Sequence, residues 1–280
     1  MLLLVDLDGV VYRGAKPVPG VAALLAARAA AGDDVVYVTN NSMTYRADYV
    51  TRLKSMGAPV SLDRIVTSAR ATALYLAETT PRPKCVLVVG GAGLVRELGD
   101  VGIETMLSAD AAALWSANGR NAAAAVVGVD AVVVGLDTEF TYARMAVAAG
   151  AVRGGAPFVA TNRDPIYPME HGLMPGAGSI VSAIEVASGV TPVSIGKPFP
   201  LLLEVAAHAA GRPVTEAVMI GDSLVTDIPA ARAAGARSVL MLTGITTAAQ
   251  VAALPDAERP TEVASDSAEL SAALERLARG

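Results

Sequence analysis

Residues 2–9 are Leu2-Leu3-Leu4-Val5-Asp6-Leu7-Asp8-Gly9, a continuous apolar run that ends in two acidic residues and a glycine. Such a run predicts a strand that is buried on both faces of a parallel sheet. Ligands of open α/β sheets bind at the carboxyl ends of the strands, so Asp6 and Asp8 are candidate site residues. Two carboxylates this close repel each other unless a cation or a proton intervenes. A pair of acids in an ordinary turn would give the same pattern.

Strand and helix patterns alternate along the rest of the chain. Short apolar runs such as Asp34–Thr39, Cys85–Val89 and Ala217–Ile220 predict buried strands, and Ala-rich segments between them predict helices. This alternation predicts an α/β fold with a Rossmann-like, doubly wound parallel sheet.

Two breaks in the pattern indicate a second domain. Residues 79–83 contain two prolines that cannot continue a helix, and Gly189 marks a less distinct return to the first pattern. We therefore predict a core domain at residues 1–81 and 191–280, with a second α/β domain inserted at residues 82–190.

Composition and charge narrow the classes of function. Hydrophobic residues make up 53% of the chain, enough for a sizeable core, and a net charge of −5 without a Lys/Arg cluster argues against nucleic acid as a partner. Cys85 is the single cysteine, which excludes an intramolecular disulfide and a cysteine-built zinc site. No signal peptide or membrane span is predicted, so we expect a cytoplasmic protein without membrane partners.

Polar residues follow two further predicted strands. Thr39-Asn40-Asn41 offers uncharged hydroxyl and amide groups of the kind that bind a phosphate oxygen, although such residues also form ordinary turns and helix N-caps. Lys197 precedes a proline that suits the first turn of a helix, where an ammonium would meet a phosphate as a point charge. Taken alone, Lys197 could equally be a surface lysine.

A last pair of acids follows the predicted strand Ala217–Ile220. Asp222 offers the hard oxygen ligand that suits Mg²⁺, which needs only one or two carboxylates. Asp227, five residues later, either stabilises the start of a helix or supports the site from behind the metal ligands.

The chain therefore carries four motifs, at Asp6 and Asp8, at Thr39-Asn40-Asn41, at Lys197, and at Asp222 and Asp227. In this order they resemble the four motifs of haloacid dehalogenase-like phosphatases. Four segments are similar to one branch of that superfamily: Asp6–Gly14, Gly135–Tyr142, Thr161–Pro165 and Leu173–Ser179. This branch includes NagD, 4-nitrophenylphosphatase, and the phosphatases of phosphoglycolate, glycerol 3-phosphate and pyridoxal phosphate. The resemblance extends over nearly the whole chain.

The resemblance implies a Mg²⁺-dependent phosphatase that acts on a small phosphate monoester. Asp6 would be the nucleophile that forms an aspartyl-phosphate, and Asp8 would serve as acid and base. Asp6, the backbone carbonyl of Asp8, and Asp222 would bind Mg²⁺, with Asp227 behind them. Lys197 would bind the transferring phosphoryl group.

Thr39, Asn41 and the backbone around Asn40 would contribute further phosphate contacts. By the same resemblance, the inserted domain would be a cap that closes over the site and reads the leaving group through a loop at residues 162–178. Tyr167 lies in this loop where pyridoxal phosphate phosphatase carries a histidine, so it is either a substrate contact or a packed loop aromatic. His171 lies in the same loop. Since related proteins often dimerise through the cap, a homodimer is a further expectation.

Two alternative enzyme classes are excluded by single residues. A dinucleotide-binding fingerprint at Gly91-Ala92-Gly93 fails because its third glycine is replaced by Arg96, and a P-loop fails because Lys197 is followed by Pro198. A phosphotransferase of the same superfamily and a non-catalytic protein that binds a phosphorylated ligand remain alternatives. The substrate also stays open among glycerol phosphate, phosphoglycolate, pyridoxal phosphate, sugar phosphates and nucleoside monophosphates.

Overall fold

The computed structural model describes residues 1–169 and 172–279. The strands along these residues are β1 Leu2–Asp6, β2 Tyr12–Arg13, β3 Lys16–Pro17, β4 Asp34–Thr39, β5 Ile65–Thr67, β6 Cys85–Val89, β7 Glu104–Leu107, β8 Ala131–Val134, β9 Phe158–Ala160, β10 Ile166–Met169, β11 Gly172–Pro175, β12 Val193–Ser194, β13 Ala217–Gly221, β14 Arg237–Met241 and β15 Glu262–Ala264. The α-helices are α1 Val21–Ala30, α2 Arg46–Ser55, α3 Ser68–Glu78, α4 Ala92–Asp100, α5 Ser108–Ala117, α6 Ala122–Ala125, α7 Tyr142–Arg153, α8 Ala177–Ser188, α9 Leu201–Ala209, α10 Asp227–Ala233, α11 Ala248–Ala252 and α12 Ser267–Arg279.

The chain divides into two compact units. The first contains the described residues of 1–39, 46–66 and 197–280, and the second contains those of 40–45 and 67–196. The domain boundaries near residues 81 and 190 stay a prediction from sequence. Within the described residues, no helix is both long and apolar enough to cross a membrane.

The first unit is built on a six-stranded parallel sheet with the order β15-β14-β13-β1-β4-β5. All five residues of β1 are buried, because this strand lies between β13 and β4. Helix α9 packs against β1 and β4, and α10 packs against β13 and β14. Since the strands are parallel, the residues that follow β1, β13 and β14 lie at one edge of the sheet. The buried strand predicted for residues 2–7 is thereby confirmed.

The second unit contains a five-stranded parallel sheet with the order β12-β9-β8-β6-β7. Helix α7 packs against β8 and between α5 and α8. The core of this unit is formed by branched residues of the central strands and by helix residues, among them Leu87, Val132, Val134, Val147 and Ile184. Two parallel sheets flanked by helices confirm the predicted α/β, Rossmann-like fold with a second α/β domain inserted in the chain.

The segment at residues 162–178 is not a plain loop, and that prediction was wrong. It contains an antiparallel hairpin of β10 and β11, in which Tyr167 pairs with Met174. The strand β10 was not predicted because it contains Pro168, and a proline argues against a strand since it removes one ladder hydrogen bond. A two-stranded ladder has free edges and therefore tolerates it. His171 lies outside the described residues.

Candidate active site

Three aspartates of the first unit lie together at the carboxyl edge of its sheet. Asp6 is the last residue of β1, Asp222 follows the neighbouring strand β13, and Asp227 begins α10. One carboxylate oxygen from each lies within 4.8 Å of the others, and all three residues are buried. The parallel pairing of β1 with β13 therefore brings together Asp6 and Asp222, which lie near opposite ends of the sequence.

Lys197 is buried among these acids and is not a surface lysine. Its residue is 3% exposed, and its Nζ lies 2.7 Å from Asp6 Oδ1 and 2.7 Å from Asp227 Oδ1. Burial by itself lowers the pKa of the ammonium, but the carboxylates of Asp227 and Asp6 outweigh it and raise that pKa above its usual value. The lysine is therefore charged and bonded to two of the three acids.

The acids outnumber the single ammonium. Burial raises the pKa of Asp6, with further increases from Asp227 and Asp222 and an opposing effect from Lys197. Burial and the charge of Asp227 also raise the pKa of Asp222 to about 6. Three carboxylates and one ammonium leave an excess of two negative charges when all are ionised. A buried set of oxygen donors with this excess of negative charge could hold a divalent cation.

Asp227 also shapes the turn that follows β13. Its Oδ2 accepts hydrogen bonds from the backbone N–H groups of Asp222 and Ser223, each at 3.0 Å. A Cβ on Gly221 would overlap with this carboxylate, so the close approach requires glycine. Asp227 thus has both roles that the sequence left open. It is the first residue of a helix, and it supports the turn that carries Asp222.

Asp8 lies outside the buried group, and its side chain is exposed. Partial burial raises the pKa of its carboxyl, while the Gly14 amide and the Arg52 guanidinium oppose that rise. The chain turns sharply after it, because Gly9 adopts a φ of 81° and donates its N–H to the carbonyl of Tyr12 at 2.7 Å. Asp8 is therefore accessible to solvent, although it lies only two residues after the buried Asp6.

Sequence reasoning missed one part of this edge, the segment 243–246. Thr243 Oγ1 donates a hydrogen bond to the carbonyl oxygen of Gly9 at 2.6 Å, and Thr246 contacts Asp222. The signal was present in the sequence, since polar residues follow the largely apolar segment Ser238–Leu242 as they follow the strands before Asp6 and Asp222.

The Thr39-Asn40-Asn41 motif spans the division between the two units. Thr39 ends β4 in the first unit, next to Val38, which pairs with Asp6. Asn40 belongs to the second unit, where its Nδ2 donates to the Asp164 carboxylate at 3.1 and 3.0 Å.

Asn41 makes the turn contacts that the sequence left open as an alternative. Its Oδ1 accepts hydrogen bonds from the backbone N–H groups of Met43 at 2.9 Å and Thr44 at 3.0 Å, just before α2. These contacts fix the side chain within the second unit and are typical of an Asn-initiated turn.

Tyr167 lines a cavity of about 360 Å³ in the second unit. Phe140 and Met174 contribute to its mainly apolar wall, and Asp137 is its one acidic residue. The Asp137 carboxylate is neutralised by Arg144, whose Nη1 lies 2.8 and 2.9 Å from the two oxygens. The cavity therefore offers an apolar surface with a paired acid.

Known proteins resemble the chain over almost its whole length. A model described as haloacid dehalogenase-like hydrolase matches residues 3–104, and a HAD-hydrolase-like model matches residues 194–270. The 5′-nucleotidase YutF of Bacillus subtilis is 34% identical over 258 residues, which is 92% of each chain. The acid sugar phosphatase of Staphylococcus saprophyticus is 35% identical over 248 residues, which is 89% of this chain and 88% of that relative.

A solved structure agrees with this. The glycerol phosphate phosphatase of Mycobacterium tuberculosis, in complex with magnesium, has a TM-score of 0.80 and 34% identity, with 96% of this chain and 75% of that chain covered. These relatives are named phosphatases, and the chain is a hydrolase of phosphoric monoesters. The chain belongs to the haloacid dehalogenase-like hydrolases, in their NagD-like branch. The predicted family and the predicted class of enzyme are both confirmed.

Proposed function

We propose that this enzyme is a Mg²⁺-dependent phosphatase that hydrolyses a small phosphorylated metabolite through an aspartyl-phosphate on Asp6. The observation that carries the proposal is the buried group of three aspartates with Lys197 bonded to Asp6 and Asp227. Buried acids in excess of their counter-ions destabilise a fold, so such a group is typical of a functional site. Relatives named 5′-nucleotidase, acid sugar phosphatase and glycerol phosphate phosphatase support the substrate class.

Asp6 and Asp8 divide the reaction into two displacements. A carboxylate oxygen of Asp6 forms a bond to phosphorus while the bond to the ester oxygen breaks, and Asp8 gives its proton to the leaving oxygen. Water then attacks the phosphorus of the aspartyl-phosphate and gives its proton to the Asp8 carboxylate, while the bond from phosphorus to the Asp6 oxygen breaks. This step releases phosphate and regenerates the Asp6 carboxylate. The exposed side chain of Asp8 suits a group that exchanges protons with a leaving group and with water.

The other residues of the site would bind the metal and the phosphoryl group and hold them in place. Asp6, Asp222 and the backbone carbonyl of Asp8 would bind Mg²⁺, which when bound supplies positive charge that stabilises phosphoryl transfer. Asp227 keeps the turn around Asp222 in place and pairs with Lys197, whose ammonium would also meet the phosphoryl oxygens.

The phosphate contacts beyond Lys197 remain predictions from sequence. They are Thr39, the backbone around Asn40, and Asn41. Thr39 has the most direct support, because it ends β4 one residue after the partner of Asp6.

Removal of the metal should stop catalysis. With EDTA, release of 4-nitrophenol from 4-nitrophenyl phosphate is expected to fall by at least about 100-fold, because the excess acids would repel the phosphate dianion. Added Mg²⁺ should restore the rate, and EDTA already saturated with Mg²⁺ is the control. Full activity in EDTA would contradict the metal assignment. A binding-only protein would show no turnover under either condition, and a phosphotransferase would depend on an acceptor alcohol.

We further propose that the cap predicted at residues 82–190, which lies within the second unit, reads the leaving group with Tyr167. Tyr167→Ala removes an aromatic wall of the cavity. The ratio of kcat/KM between pairs of phosphate monoesters is therefore expected to change by about tenfold, which would alter their ranking. A panel of sugar phosphates, glycerol phosphate, phosphoglycolate, pyridoxal phosphate and nucleoside monophosphates measures this. Tyr142→Ala is the matched control, since Tyr142 is 73% exposed in the same unit. An unchanged ranking in Tyr167→Ala would contradict the assignment.

The cytoplasmic location and the homodimer through the cap stay predictions from sequence.

A further inference from the structure

The loop after β14 contacts Asp222 at both its backbone and its carboxylate. Thr246 Oγ1 donates a hydrogen bond to the backbone carbonyl oxygen of Asp222 at 2.6 Å, and Thr246 is 6% exposed. The N–H of Ile245 donates to Asp222 Oδ2 at 2.9 Å. Both bonds lie within the first unit and join the ends of two neighbouring parallel strands.

Two glycines enclose the same carboxylate. A Cβ on Gly244 would overlap with Asp222 Oδ2, and so would a Cβ on Gly9 from its own side. Thr243 Oγ1 ties the two loops together through its 2.6 Å bond to the Gly9 carbonyl. The side chain of Asp222 is therefore closely approached by two glycines and hydrogen-bonded to the N–H of Ile245.

We propose that Thr246 and Gly244 are positioning residues for metal binding, which fix the backbone and the carboxylate of Asp222 in the orientation that Mg²⁺ requires. Mg²⁺ demands near-ideal octahedral geometry and tolerates little displacement of a ligand. Groups that orient a metal ligand without touching the metal typically change its affinity by about 10- to 100-fold. The inference rests on the proposed Mg²⁺-dependent phosphatase and extends it to a loop that carries no acid.

The decisive variant is Thr246→Val, which keeps the branched shape and removes the hydroxyl donor. Without that donor the buried carbonyl of Asp222 loses its bond, and the turn that carries the carboxylate is free to shift. Titration of the metal-free full chain with Mg²⁺ alone in a calorimeter should give a dissociation constant about 10- to 100-fold larger than that of the wild type. Thr246→Ser restores the donor and should restore the affinity.

The neighbouring threonine provides a matched control. Thr247 is exposed and forms the capping box of α11 with Gln250, without a bond to Asp222. Thr247→Val should weaken the start of α11 and leave Mg²⁺ affinity at the wild-type value. The Mg²⁺ concentration for half-maximal activity should rise in Thr246→Val only, while KM for 4-nitrophenyl phosphate at saturating Mg²⁺ stays unchanged.

Each outcome decides the inference. Wild-type Mg²⁺ affinity in a folded Thr246→Val overturns it, as does an equal loss of affinity in Thr247→Val. If Thr246→Val does not fold, Gly244→Ala decides: its methyl group should displace Asp222 and weaken Mg²⁺ binding by about 100-fold, and unchanged affinity overturns the inference. A wild type that binds Mg²⁺ but hydrolyses no ester would overturn the proposed function alone. A wild type that binds no Mg²⁺ would overturn both.

Discussion

Asp6→Asn is expected to reduce the turnover of phosphate monoesters by at least about 10⁴-fold, because an amide cannot form the covalent bond to phosphorus. The substitution keeps the shape of the side chain and removes one of three buried carboxylates that share a single ammonium. The metal-free variant should therefore be at least as stable as the wild type, which separates lost chemistry from lost folding. Rates with 4-nitrophenyl phosphate and urea unfolding in EDTA measure the two effects.

The control for this variant is Asp63→Asn, since the Asp63 side chain is 79% exposed and is not part of the buried acidic group. It should retain wild-type turnover. The wild type, briefly exposed to substrate, should also carry a phosphate group that hydroxylamine removes, and Asp6→Asn should not. Turnover retained by Asp6→Asn would refute the assignment of the nucleophile.

Lys197→Met is expected to destabilise the metal-free protein by about 3 kcal/mol and to lower turnover by about 10³-fold. The ammonium is bonded to Asp6 and Asp227, and its removal leaves buried carboxylates without any cation. Methionine fills much of the same volume, so the loss would come mainly from charge. Urea unfolding in EDTA gives the change in unfolding free energy, and added Mg²⁺ should recover part of it by restoring positive charge among the acids.

Lys54→Met serves as the comparison, because Lys54 is an exposed lysine in the last turn of α2. Its unfolding free energy should change by no more than about 0.5 kcal/mol. If Lys197→Met proved as stable as the wild type in EDTA, the lysine would not be the counter-ion of this group.

Elements with a clear pattern were predicted with their observed bounds. Strands Asp34–Thr39 and Cys85–Val89 each contain an uninterrupted apolar run. Helix α5 and strand β5 were not predicted. Only three residues form β5, too few to show a periodicity, and Ala-rich α5 has no distinct apolar face to recognise.

The candidate site was predictable to the extent that it follows strand ends. Asp6 and Asp222 could be assigned because each follows an apolar run, and Lys197 because it follows a short predicted strand. The prediction that Pro198 lies in the first turn of the next helix was wrong, since α9 begins at Leu201 with Pro200 as its N-cap. The contact of Thr246 with Asp222 could not be inferred, since it depends on β14 lying beside β13 in the sheet. Thr-Gly-Ile-Thr by itself has the composition of any turn.

The glycines around Asp222 have a consequence for how the sequence can vary over generations. Gly9, Gly221 and Gly244 carry no charge and take no part in the chemistry, yet each lies where a single methyl group would displace an aspartate. Selection should therefore act on these three positions as strictly as on the acids beside them. A harmful inherited substitution in this enzyme can consist of a glycine exchanged for alanine, with every acidic residue and the lysine intact.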